Sequence, residues 1–220
     1  KGFDSSSSGL TSLNLQGLTH LKKFHCSVNS ISNLDLSDQT QLIDLDCSSN
    51  LLTQLDVSML TQLQKLNCIE NQISSLNVLP LTQLEFLACA SNQISTLDLS
   101  SLTLLQLLRC NNNLLTNLNL AANPHLNELD CSNNQISSMD FAANPEIKII
   151  ACNFNPLTQL NLTSQNKFRY LSCNHTLITT ADVSHFDVSD VYLNNGSIDL
   201  SDNPNLEYIN AKYGTINIFV

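Results

Sequence analysis

Tryptophan is absent from the 220 residues, and glycine and proline occur only five times each. Lysine and arginine together number 9 against 19 acidic residues, a formal net charge of −10. With so few cations nothing could neutralise a row of phosphates, which argues against a nucleic-acid partner. Charged residues of both signs make up only 13% of the chain, about half the usual fraction of roughly 25%. No uncharged apolar run approaches the roughly 20 residues that span a bilayer, so membrane insertion is not expected. The Gly-rich calcium repeat of β-roll proteins is missing. So are a Ser elbow, a P-loop, an H-E-x-x-H pair and a dinucleotide fingerprint. The five His (His20, His25, His125, His175, His185) share no stack with a nucleophile. These absences predict a non-catalytic chain with no cofactor and no metal. An initiator Met and a signal-peptide pattern are also missing, which predicts a processed or cut amino terminus. Two residue types are in excess, with 41 Leu and 29 Asn. The chain is 42% hydrophobic, enough for a sizeable core and against disorder.

Eight cysteines raise the question of a disulfide framework or a zinc site, and their spacing answers it. Cys26, Cys47, Cys68, Cys89, Cys110, Cys131, Cys152 and Cys173 are separated by a constant 21 residues. Disulfide scaffolds and metal sites use short, unequal spacings, so a constant interval marks one place in a repeated unit. The unit reads L-x-x-L-x-C-x-x-N-x-I-x-x-L-D-L followed by five residues, as in Leu63, Leu66, Cys68, Asn71, Ile73, Leu76 and Val78. The template divides a single domain, 1–220, into a partial first coil at 1–20, regular coils at 21–187 and shortened terminal coils at 188–220. In that reading Asp199 and Asn217 belong to L-D-L segments.

Within both L-x-C and L-D-L, apolar and polar residues alternate, which predicts two short strands per coil. The five connecting residues are too few for a regular helix, and Asn123-Pro124 is a turn signal. The expected fold is a mostly β solenoid of about eleven coils with two parallel sheets and little or no helix. At ~4.8 Å per coil it forms a rod or shallow arc of roughly 50 Å.

This unit resembles a leucine-rich repeat, and in detail the 21-residue, Cys-containing bacterial variety called IRREKO type. The resemblance covers nearly the whole chain. It implies a right-handed solenoid whose L-x-x-L-x-C strands line the principal binding face. It also implies a bacterial, secreted or cell-surface source and a recognition role.

Stacked coils turn repeated residues into ladders. The Cys ladder is expected to face inward as small buried hydrophobes with free thiols, because in-register parallel strands rarely give the disulfide torsion. A second ladder comprises Asn29, Asn50, Asn71, Asn92, Asn113, Asn134 and Asn155. An amide there can satisfy buried backbone groups of its own coil and the next. The Asp/Asn ladder inside L-D-L, such as Asp35, Asp56, Asn77 and Asp98, invites a calcium reading. Local backbone hydrogen bonding is the better account of it.

Functional information is then expected where the pattern varies, at outward positions of the L-x-x-L-x-C strand. Partner-binding candidates are Phe86, Leu107, Arg109, Ile149, Phe154, Tyr170, Tyr192, Tyr208 and Tyr213. Exposed aromatics and Arg are the usual anchors of interfaces. A protein partner, host-derived if the resemblance holds, is the expectation. A glycan partner and a passive spacer or assembly module of a larger surface protein stand as alternatives.

Overall fold

The computed structural model describes residues 1–162, 169–183, 197–210 and 217–219. Among them there is no helix. Fifteen strands of three residues each carry the fold: β1 (Gly2–Asp4), β2 (Lys23–His25), β3 (Asp44–Asp46), β4 (Lys65–Asn67), β5 (Phe86–Ala88), β6 (Leu107–Arg109), β7 (Glu128–Asp130), β8 (Ser138–Asp140), β9 (Ile149–Ala151), β10 (Gln159–Asn161), β11 (Tyr170–Ser172), β12 (Thr180–Asp182), β13 (Ser197–Asp199), β14 (Tyr208–Asn210) and β15 (Asn217–Phe219). Eleven of them, β1–β7, β9, β11, β13 and β15, form one parallel sheet. From β1 to β11 each strand pairs with the residue 21 positions on, as Lys23 does with Asp44 and Leu66 with Leu87. The expected solenoid is therefore the fold.

The second strand is narrower than expected. Among the described residues the second flank pairs only as β8 with β10 and as β12 with β14. In the earlier coils the Asx side chain of L-D-L binds locally. Asp35 Oδ1 accepts the Ser37 N–H at 3.0 Å, Asp56 that of Ser58 at 2.9 Å and Asn77 that of Leu79 at 3.2 Å. This is the Asx turn, and Asp140 in the paired strand β8 makes it as well, to the Ala142 N–H at 2.9 Å. These bonds hold the carboxyls of Asp35, Asp56 and Asp98 below the ordinary Asp range.

A pair of back-to-back turns replaces a connecting helix. In the third coil the Leu60 N–H donates to the Val57 carbonyl, and the Leu63 N–H donates to that of Leu60. The pivot residue is buried, and it is Leu60, Leu81 and Leu102 in successive coils. Polar residues fill the same slot elsewhere. The Gln39 amide donates to the Leu15 carbonyl at 2.9 Å, and Asn123 Nδ2 to those of Leu99 and Leu102 at 3.2 and 2.8 Å. Asn144 Nδ2 bonds the Leu120 and Asn123 carbonyls at 3.0 and 2.9 Å.

All eight cysteines are buried and free, in one continuous core with the repeat leucines. The Asn ladder sits beside them. Asn113 Oδ1 accepts the Ile94 N–H at 2.9 Å, and its Nδ2 donates to the Cys89 and Cys110 carbonyls at 3.0 and 3.1 Å. Asn50, Asn71, Asn92, Asn134 and Asn155 repeat this pattern. Asn29 bonds the first coil in a related way, through the Leu10 N–H and the Ser5 and Cys26 carbonyls. Each amide thus ties two coils together through groups that no strand reaches.

The residue before each of these seven Asn is left-handed, as is His175 before Thr176 in the same slot. Val28, Ser49, Glu70, Ser91, Asn112, Asn133, Phe154 and His175 have φ between 51° and 56°. For L-residues this conformation costs roughly 1–2 kcal/mol, and most for β-branched side chains. Val28 is 57% exposed, so its side chain contributes little burial to offset that cost. Val28→Gly should therefore stabilise the domain by about 1 kcal/mol, strain relief exceeding glycine's entropic penalty. A urea midpoint that stays put or falls would contradict this.

Strand assignment changes after β11. Tyr170 pairs with Ser197, 27 residues on, and Ser197 with Asn217. Asp199 and Asn217 thus lie in the main sheet rather than in the L-D-L ladder. The reason is that Ile198-x-Leu200-x-x-Asn203 reproduces L-x-C-x-x-N with Leu in the Cys slot. Leu200 is buried, and Asn203 Nδ2 donates to the Cys173 and Leu200 carbonyls at 2.9 and 2.7 Å. Asn203 Oδ1 accepts from Thr176, whose N–H and hydroxyl both reach it, at 2.8 and 2.6 Å. Asn203 therefore meets the coil in which Thr176 stands in place of an Asn.

Candidate recognition face

Strands β2–β7, β9 and β11 bury their middle residue, and the residues flanking it fall in two columns along the sheet. In the first, register places Lys23, Asp44, Lys65, Phe86, Leu107, Glu128, Ile149, Tyr170 and Ser197 side by side. The second holds His25, Asp46, Asn67, Ala88, Arg109, Asp130, Ala151, Ser172 and Asp199.

The face is divided by chemistry. Its amino-terminal third is a charge mosaic, where Asp44 lies 3.6 Å from Lys23 Nζ and 3.3 Å from His25 Nε2. Such exposed pairs are worth little to stability. The carboxyl-terminal part is apolar. Phe86 and Leu107 are half-buried, and Ile149 and Tyr170 are 37% and 38% exposed. With strands ~4.8 Å apart, Phe86 to Tyr170 spans ~19 Å.

Glu128 interrupts this apolar column and is held by its neighbour. Arg109 Nη2 and Nε donate to Glu128 Oε1 at 2.8 and 3.3 Å. The guanidinium is thereby fixed over the sheet rather than free to sweep it. Beyond Tyr170 a polar network closes the second column. Asn153 Oδ1 accepts from the Ser172 hydroxyl at 2.8 Å, and Asn174 Nδ2 donates to Asp199 Oδ2 at 2.7 Å. Burial pushes the Asp199 carboxyl up, but bonds from Ser201 and Asn174 outweigh it and hold the group below its ordinary value.

The candidate residues are thus brought together only in part. Phe86, Leu107, Arg109, Ile149 and Tyr170 share the main-sheet face. Phe154 stands at its border, in the left-handed turn after β9. Tyr208 lies on β14 opposite Thr180, on the other flank of the coil, and is 62% exposed. Tyr192 and Tyr213 fall outside the described residues. Sequence reasoning missed Asn123, Asn144 and Asn203 as structural amides, and also the left-handed column. All three Asn are followed by Pro, and that Asn-Pro turn signal is what they share in the sequence.

Chemistry on this face is that of contact. The Cys26 and Cys89 thiols are pushed up to about 12 by burial, and those of Cys47, Cys68 and Cys110 rise well above the ordinary range for the same reason. Protonated and sealed, they are poor nucleophiles and poor ligands. Among the described residues no group of three or more His, Cys, Asp or Glu is placed to hold a metal ion. Likewise they contain no helix long and apolar enough to cross a membrane.

A parallel sheet of 21-residue coils with a buried thiol column and a buried amide column defines a leucine-rich-repeat protein of the Cys-containing type, and this chain is one. It is similar over 96% of its length to the functional domain of InlJ from Listeria monocytogenes, a structure that includes a cysteine ladder. Identity is 33% and the TM-score 0.83, and the chain spans 53% of that structure's length. Internalin C2 of the same organism is 26% identical with a TM-score of 0.70, over 76% of this chain and 79% of that one. The LRIM1/APL1C complex shares the fold alone, at 17% identity and a TM-score of 0.72, with 98% of this chain and 40% of that one covered. No family model and no curated protein matches the sequence.

Proposed function

We propose that the domain is a non-catalytic recognition module that binds a protein partner through the outward face of its main sheet. The observation that carries this reading is the column Phe86, Leu107, Ile149 and Tyr170. Ile149 and Tyr170 stand exposed along it, Phe86 and Leu107 are half-buried, and Arg109 lies beside them paired with Glu128. Solvent-facing apolar columns of this kind mark interaction sites, and Tyr, Phe and Arg supply most hot spots. The scaffold adds preorganisation, because strand register leaves the column little freedom to lose on binding.

Likeness to the Listeria monocytogenes domains supports a bacterial surface or secreted protein, and makes a host protein the first candidate to test. Ile149→Ser with Tyr170→Ala should weaken capture of that partner by about 2 kcal/mol or more, roughly thirtyfold, while circular dichroism stays unchanged. The comparison is made by affinity capture and then by calorimetry on the partner recovered. Undiminished affinity in the double variant would remove the main-sheet face from consideration, as would capture of glycans alone.

A further inference from the structure

The border of the main sheet carries a second exposed apolar cluster. Phe154 is 48% exposed and its ring stacks on the His175 imidazole of the next coil, with centroids 4.3 Å apart and planes 23° from parallel. Both residues are left-handed, at φ 53° and 52°. Two positions on, Pro156 and Leu177 are also exposed, with the buried Asn155 and Thr176 turned inward between them. Earlier coils place Val28, Ser49, Glu70, Ser91, Asn112 and Asn133 in the Phe154 column, so the left-handed backbone belongs to every coil and the aromatic pair is the local departure. Exposed apolar side chains clustered where most earlier coils carry polar ones point to use of the surface.

Charge identifies what the cluster suits. Asp202 Oδ2 lies 3.7 Å from His175 Nε2, and the Asp202 side chain is itself 65% exposed. Residues 170–183 and 197–210 contain Asp182, Asp199, Asp202 and Glu207 and no Lys or Arg. Lys148 and Arg169 stand immediately before β9 and β11, at the opposite end of those strands from Phe154 and His175. Among the described residues no Lys or Arg stands beside the pair, and an aromatic pair next to the Asp202 carboxylate complements a guanidinium, which stacks on ring faces and pairs with carboxylate oxygens.

We propose that the rim formed by Phe154, Pro156, His175 and Leu177, with Asp202, docks an arginine-bearing apolar segment of the protein partner. This rests on the protein-recognition reading and adds to the sheet face a second contact of defined chemistry.

The test titrates the full chain with a short amphipathic peptide made only of leucine and arginine, and with a leucine–glutamate peptide of the same pattern. Binding of the first and not the second is expected, with NMR shifts centred on Phe154, His175 and Leu177. Phe154→Gly, which relieves the backbone and so keeps the fold, should weaken binding about tenfold, and Asp202→Asn should also weaken it. Gln54→Ala, an exposed position beside Asp56, should leave it unchanged, and loss of peptide binding in Phe154→Gly leaves partner capture through the sheet face to be read on its own, so the two readings fail separately. Equal binding of the Leu–Arg peptide to Phe154→Gly would overturn the proposal by showing that general acidity suffices. No binding, or shifts confined to the Asp35–Asp98 flank, would overturn it as well.

Discussion

Raised from pH 8 to pH 10 under reducing conditions, the domain should lose its fold in a steep, cooperative transition. The cause is the thiol column. Burial lifts the thiols of Cys26, Cys47, Cys68, Cys89, Cys110 and Cys131 above their ordinary value of 9.0. Between Cys152 and Cys173 a shared bond lifts the first thiol and lowers the second, so that pair largely offsets itself. A group whose folded pKa is raised adds stability that is complete below the unfolded value and is lost as pH climbs towards the folded one. The sensitive window therefore opens near pH 9 and extends to about 12, the value reached by Cys26 and Cys89. Each fully buried thiol contributes a slope of about 1.4 kcal/mol per pH unit within it. Six together make a loss of ~8 kcal/mol by pH 10, comparable to the whole stability of a typical domain. Urea midpoints measured at close pH intervals give the slope directly. Cys89→Ala with Cys110→Ala should flatten it by about 2.8 kcal/mol per pH unit. A midpoint that does not move between pH 8 and 10 would mean that the thiols are not sealed.

Asn113→Leu is the single substitution expected to cost most. Leucine matches asparagine roughly in bulk and belongs in this core by polarity, so a purely hydrophobic view predicts a neutral or stabilising change. The hydrogen bonds predict the opposite. Removal of the amide strands the Ile94 N–H, where water has little access, and takes one of two bonds from each of the Cys89 and Cys110 carbonyls, which keep those from Asn92 and Asn134. An orphaned buried N–H costs about 1–3 kcal/mol, so with the two weakened carbonyls a loss of roughly 2 kcal/mol or more is expected. Because coils contact only their neighbours, the damage should appear as faster amide exchange in the coils around Asn92 and Asn134, before global unfolding. Asn117→Leu, on the exposed flank, serves as the control and should stay within about 0.5 kcal/mol of the parent. Equal midpoints for the two variants would dismiss the ladder as a stabilising element.

The regular coils were legible because each repeated residue answers a fixed requirement. A 21-residue turn needs an inward Leu, a small Cys and an amide at set positions, and all three recur without interruption from Cys26 to Cys152. The end of the array was not legible, for a physical reason. Ile198-Asp199-Leu200 satisfies both L-x-C and L-D-L, since each asks only for apolar, polar and apolar residues. Pairing decides between them, and pairing is a long-range property. Asn203 resolves the ambiguity by reaching the Cys173 carbonyl, a contact 30 residues distant in sequence.

The two-strand coil was legible only in outline. Alternation in L-D-L correctly gave an extended segment, but the side chain of Asp35 or Asp56 takes the N–H two residues ahead. Composition cannot reveal the backbone at Val28 or Phe154, because left-handed residues are normally Gly, Asn or Asp and these are neither. The functional face was readable as a list of outward residues. Its division into a charge mosaic and an apolar column required the register that sets Phe86 beside Leu107 and Ile149 beside Tyr170.

That register has a consequence for how such a surface changes over generations. Duplication or loss of one 21-residue segment inserts or removes a complete coil, and the strands on either side meet as before. The distance from Phe86 to Tyr170 then alters by one division of ~4.8 Å while both ends keep their surroundings. The domain is in effect a ruler. Unequal recombination can lengthen or shorten its contact surface in whole divisions, so fit to a target can be adjusted without redesigning any side chain.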